Sequence, residues 1–96
     1  MIINFSPVRK DGTLKVVKKG DVLTINDVVY DFIDFPDGAS LDASAVDCEY
    51  ITGDIERISG VLNITLILPH GPNPSKAVAF PVSLNDPKDG TIAIPK

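Results

Sequence analysis

One stretch constrains this chain more than any other: Glu49–Pro74, built around Ile64-Thr65-Leu66-Ile67-Leu68, the longest apolar run in the sequence. Five residues are too few to cross a bilayer, and the run is too rich in β-branched side chains to favour a helix. It reads as a central strand buried on both faces. Ser59-Gly60 supplies a tight turn ahead of it, so the strand is expected to pair in a hairpin with Tyr50–Ile58 and to end at Pro69. Everything else in the chain then has to cover this strand.

Size bounds how that can be done. Ninety-six residues support a single domain, 1–96, with one core and no room for a large internal cavity. The hydrophobic share of 44% and charged share of 23% are those of a folded globule rather than a disordered tail. Eight prolines and seven glycines fall between the apolar runs, which suits short strands separated by turns. One cysteine, Cys48, allows no internal disulfide, and no stretch of 18 apolar residues is present. Met1-Ile2-Ile3-Asn4 lacks the basic start of a secretory leader, so synthesis in a reducing cytoplasm is expected.

The net charge of −4 is unevenly placed. Residues 1–20 hold Arg9, Lys10, Lys15, Lys18 and Lys19 against Asp11, a net of +4, while the other residues hold four basic and twelve acidic side chains, a net of −8. A chain this acidic is a poor partner for nucleic acid, which needs a broad positive face. The five cations suggest either a lysine-guarded strand edge or a patch that binds a protein, including a second copy of the chain.

Along the chain, Met1–Ser6 reads as a first strand ended by Pro7, and Asp11-Gly12 as a hairpin turn into Thr13–Lys18. Lys19-Gly20-Asp21 is a second turn; Val22–Ile25, Asn26-Asp27 and Val28–Phe32 continue a meander. Ser40–Val46 is the one place for a helix, with Ser40 as its cap. After the central hairpin, Pro72 and Pro74 make a rigid loop, and Ala77–Phe80, Val82–Leu84 and Thr91–Ile94 read as short extended pieces. The expected fold is all-β: a small antiparallel sandwich or partly open barrel of seven or eight short strands with one short helix near residues 40–46.

Chemistry-bearing residues are sparse. His70 is the only histidine and is followed by Gly71-Pro72, so it reads as a turn residue rather than a metal ligand or general base. Asp54 and Glu56, two apart on a strand, share a face, and Asp31 or Asp34 can join them across a sheet; a solvated outer face explains the pair as well as acid–base or cation chemistry does. Arg57 has acidic neighbours and needs no substrate to explain it, and Cys48, between Asp47 and Glu49, reads as an inert thiol. No phosphate-binding, nucleophile-elbow or EF-hand spacing occurs. No catalytic residue, metal or cofactor is expected.

Four strings, Phe5-Ser6-Pro7-Val8-Arg9, Gly20-Asp21-Val22-Leu23-Thr24-Ile25-Asn26, Gly53-Asp54-Ile55-Glu56-Arg57-Ile58 and Leu68-Pro69-His70-Gly71-Pro72-Asn73-Pro74, span most of the chain. In order and spacing the sequence resembles small uncharacterised proteins of tailed phages and prophages encoded near tail genes. That resemblance implies a non-enzymatic accessory protein acting through protein–protein contacts in tail structure or assembly, in the host cytoplasm or the virion. The expected partner is a tail component or a second copy of the chain, and the uneven charge makes Arg9, Lys10, Lys15, Lys18 and Lys19 the expected contact residues. A binder or inhibitor of a host protein is the other role such neighbourhoods supply. The motifs are turns and strand ends, and they carry over no catalytic assignment.

Overall fold

A computed structural model describes residues 1–95. Nine strands form two sheets around one shared core. They are β1 (Ile2–Arg9), β2 (Val16–Lys19), β3 (Val22–Ile25), β4 (Val28–Asp31), β5 (Ser40–Asp42), β6 (Ile51–Ile58), β7 (Val61–His70), β8 (Leu84–Asn85) and β9 (Gly90–Thr91). The five-stranded sheet runs β5-β6-β7-β1-β8 and the four-stranded sheet β4-β3-β2-β9, so the barrel is not closed. The all-β reading of the sequence therefore holds.

The central strand is where the apolar run placed it, in the middle of the larger sheet. Leu62, Ile64, Leu66 and Leu68 point into the core, while Asn63, Thr65 and Ile67 are half-buried on the outer face. Burial is thus one-sided rather than two-sided, and Thr65 within the run marks the wetter face. The hairpin with β6 closes through Ser59 (φ 51°) and Gly60 (φ 81°), two successive left-handed residues whose twist matches the flanking strands. Gly53 (φ 70°) opens a bulge in β6: Thr52 pairs with Thr65 and Glu56 with Asn63, so three residues of β6 face one of β7. The bulge returns Ile55 and Arg57 to the core side.

Several expectations are corrected. Asp11-Gly12 does not close a hairpin: β1 pairs in parallel with β7, from Ile2 with Asn63 to Arg9 with His70, and β8 takes the start of its other edge. With both flanks of β1 occupied there, β2 joins the second sheet, where Leu14 and Val16 are buried. The remaining ladders are antiparallel. Pro7 and Pro69 lie inside strands rather than ending them. Each sits where one flank of its strand is unpaired, so its missing N–H breaks no ladder.

The helix near residues 40–46 is smaller than its pattern suggests. Ser40–Asp42 is strand β5, paired with β6, and only Ala43–Ala45 coils, as a single 3-10 turn capped by Asp42 through the Ser44 N–H at 2.8 Å. Pairing with β6 supplies hydrogen bonds that one isolated helical turn cannot match. The α-helical turn, α1 (Lys76–Ala79), lies instead where a strand was expected; Ser75 caps it, and Val78 anchors it to the core.

The smaller sheet follows the sequence closely. Asn26 (φ 47°) and Asp27 (φ 70°) form the two-residue turn between β3 and β4, and Leu23, Ile25 and Val16 bury its inner face. Lys18 shares that inner face and is itself buried, its Nζ 2.9 Å from Asp89, which also accepts the Gly20 N–H. The Lys18 hydrogen bond, and after it the Gly20 N–H, hold the Asp89 carboxyl below its ordinary pKa. A carboxyl lowered in the folded state stabilises the fold above its unfolded pKa, about 3.9, and that contribution fades as pH falls through the lower folded value. Asp89→Asn should therefore destabilise the wild-type fold at neutral pH and flatten its stability profile below about pH 4. Urea midpoints measured at several pH values for both proteins check this; parallel profiles would show that the Lys18–Asp89 pair contributes nothing.

Candidate functional site

The two sheets are joined at one corner by Arg57, whose sequence neighbours Asp54 and Glu56 are not its partners. Its side chain crosses from β6 to the second sheet and the loop after β4. The guanidinium donates to Asp21 Oδ2 at 2.9 Å, to the Phe32 and Phe35 carbonyls at 2.7 and 2.6 Å, and to the Gly60 carbonyl at 3.2 Å. The residue is 8% exposed. A buried charge of this kind persists only when paired and hydrogen-bonded, and the rigid guanidinium fork meets both needs at once. The backbone closes around it: Gly38 N–H donates to the Arg57 carbonyl at 2.7 Å and Gly60 N–H to Asp37 Oδ1 at 2.9 Å. The sequence places acidic residues near Arg57 but gives no sign of a partner as distant as Asp21.

Beside this clamp an open groove of about 580 Å³ runs between β4 and the β5 corner. Phe32, Phe35, Leu41 and Val46 give it an apolar floor, and Asp31, Asp34 and Asp47 stand exposed along its rim. Because two of Arg57's acceptors are the carbonyls of Phe32 and Phe35, the clamp fixes the groove wall as well as the sheet-to-sheet angle. Val29 and Ile33, 64% and 60% exposed, leave apolar surface next to it.

Tyr30 separates this groove from a second hollow lined by Val28, Cys48 and Tyr50 among others. Its hydroxyl donates to the Asp47 carbonyl at 3.0 Å. A hydrogen bond with the Cys48 side chain, then burial, then the nearby Cys48 and Asp47 charges, push the phenol up to about 12. Keeping Tyr30 neutral keeps it a donor, which ties β4 to the 43–48 segment. A spectrophotometric titration should show Tyr30 ionising near pH 12, and Cys48→Ala should bring that value down; ionisation of Tyr30 at the ordinary tyrosine value of about 10 would contradict the contact.

The residues singled out from sequence are dispersed. Arg9 ends β1 opposite His70, whose Nδ1 lies 2.7 Å from the Gly71 carbonyl. Lys10 sits 3.5 Å from Glu49 and 5.0 Å from the centre of the Tyr50 ring. Lys15, just ahead of β2, and Lys19, at its end, are exposed, and Lys18 is buried with Asp89. β2 lies between β3 and β9, so its lysines do not guard an edge, and residues 9–19 do not form one hairpin patch. Asp54 and Glu56 face outward on β6, opposite Asp42 and Ser40, whereas Asp31 and Asp34 belong to β4 and the loop after it and do not join them. Among the described residues no three His, Cys, Asp or Glu side chains gather as metal ligands, and no helix is long and apolar enough to cross a membrane.

Compared with known proteins, the chain matches no family model, no curated protein and no solved structure.

Proposed function

We propose that this protein is a non-enzymatic accessory module that works by contact with another protein. The observation that carries the reading is the Arg57-braced groove between β4 and β5, with an apolar floor, an acidic rim and exposed apolar side chains beside it. An apolar patch rimmed by polar groups is the usual mark of a protein contact. The setting we propose, on the strength of the quoted strings, is the tail structure or assembly of a phage or prophage. A binder of a host protein is the second reading, favoured by the acidic rim, since an acidic surface steers toward basic partners.

Mass spectrometry of purified particles, together with affinity purification of the chain from infected cells, separates these. Presence in the particle, or a stable complex with a tail component, supports the first reading. Absence from the particle with a stoichiometric host complex supports the second. A chain that forms neither complex would overturn the binding-module reading.

A further inference from the structure

We propose that the outer edge of β4, with the groove beside it, binds an extended segment of a partner protein in which apolar and basic side chains alternate, adding it to the smaller sheet as a further strand. The proposal rests on the binding-module reading and names its partner chemistry.

The four sheet edges are not alike. β5 has three residues and runs into a 3-10 turn; β8 has two, with Pro81 and Pro87 close on either side; β9 also has two. Short strands and prolines are the devices that keep an edge from pairing. β4 has four residues and carries no proline, no lysine and no bulge, and its Val28 and Val29 are 51% and 64% exposed. Its one charge is Asp31, which turns away another acidic strand, so of the four edges it is the least guarded.

Its hydrogen-bonding groups are set out for an incoming strand. The two-residue turn makes Ile25 and Val28 the first hydrogen-bonded pair of the hairpin, and alternation makes Leu23 and Tyr30 the next. The N–H and C=O groups of Val29 and Asp31 therefore point away from β3. Among the described residues no backbone group takes them up. An extended segment laid along β4 would meet both residues at its own two-residue spacing.

Side chains then set the choice of segment. The groove floor of Phe32, Phe35, Leu41 and Val46 suits an apolar side chain from the added strand. The exposed carboxylates of Asp31, Asp34 and Asp47 form no ion pair with a described cation and suit basic neighbours on either side. The same carboxylates disfavour a second copy of this chain, because pairing β4 with β4 would bring two acidic rims together.

The test uses the whole chain and capped hexapeptides, Lys-Val-Lys-Leu-Lys-Val and its counterpart with glutamate in place of lysine. Binding is followed by fluorescence anisotropy, and the contact is mapped by NMR on amide-labelled protein. The lysine peptide should bind saturably, shift and protect the Val29 and Asp31 amides, and bind more tightly than the glutamate peptide. Val29→Pro removes one outward donor without touching the β3 ladder; Val29→Lys guards the edge while keeping the N–H; Asp31→Lys with Asp34→Lys reverses the rim. Each should weaken binding by roughly tenfold or more, the equivalent of about 1.4 kcal/mol, in protein whose folded spectrum is retained.

Equal binding of both peptides, unshifted β4 amides, or full affinity in the folded variants would overturn the proposal. So would a β4-paired dimer seen by light scattering and abolished by Val29→Lys, which would assign the edge to a second copy. If the particle or host complex persists in the Val29→Lys variant, the binding-module reading stands and the β4 assignment alone fails.

Discussion

Replacing Arg57 with methionine should cost about 3–5 kcal/mol of stability, the range seen when one partner of a buried ion pair is removed. The fold of a domain this size is stable by only about 5–15 kcal/mol, so the variant should be partly unfolded or close to it. The loss has two sources. Asp21 keeps a carboxylate that is only 31% exposed without its cation, and the Phe32, Phe35 and Gly60 carbonyls lose their side-chain donor. Methionine fills much of the space but returns none of the hydrogen bonds. Arg57→Lys should rescue little, because one ammonium cannot reproduce a fork that reaches four acceptors. Asp21→Asn should cost less than either, since the three carbonyl contacts survive. Urea unfolding of the three variants checks the order; an Arg57→Met midpoint equal to wild type would show that the sheets are held together by the apolar core alone.

Leu66→Ala should be the most damaging truncation along the central strand. Leu66 is fully buried and lies between Ile51 on β6 and Phe5 on β1, both in the core, so a cavity there has neighbours on either flank that are fixed in ladders. Such sites collapse poorly, and the expected cost is about 2–5 kcal/mol. Ile67→Ala, one residue along on the half-buried outer face, should cost distinctly less. Thermal melts of both variants distinguish one-sided burial from two-sided burial. Equal losses at the two positions would mean that the outer face is also covered.

What could be read from the sequence was local. The hairpin at Ser59-Gly60, the turn at Asn26-Asp27 and the strands beside them are specified by residues next to one another, and these appear where expected. The parallel pairing of β1 with β7 was not legible, because it joins segments separated by β2 to β6 and no turn residue announces it. Asp11-Gly12 is a turn pair in the sequence, but β1 has its flanks filled by β7 and β8, and tertiary pairing overrides the local signal. Ser40–Asp42 became a strand for a similar reason: the edge of β6 was available to it. α1 was missed because Ala77–Phe80 is apolar and followed by proline, although Ser75 was a readable cap.

The groove was harder still. Its lining draws on β4, the loop after it, β5 and the 43–48 segment, and only the closure of the two sheets brings them together. The five basic residues of the first twenty stand out as a charge run, yet alternation places Lys18 on the same face as the buried Val16. Read strand by strand, one of the five lysine and arginine side chains belonged to the core. β4, by contrast, was legible in outline: Val28-Val29-Tyr30 has no guarding charge, but that matters only once the strand is known to lie at an edge.

β4 is an unpaired edge held in place by a rigid corner, and amide hydrogen exchange of the free protein tests that directly. Val28 and Tyr30, bonded to β3, should exchange slowly, while Val29 and Asp31 should exchange close to the rate of an unstructured peptide. Ile64 and Leu66 in the central strand should be the slowest of all, opening only with global unfolding. Slow exchange at Val29 and Asp31, matching that of Val28 and Tyr30, would mean that the edge is already occupied and would contradict the account.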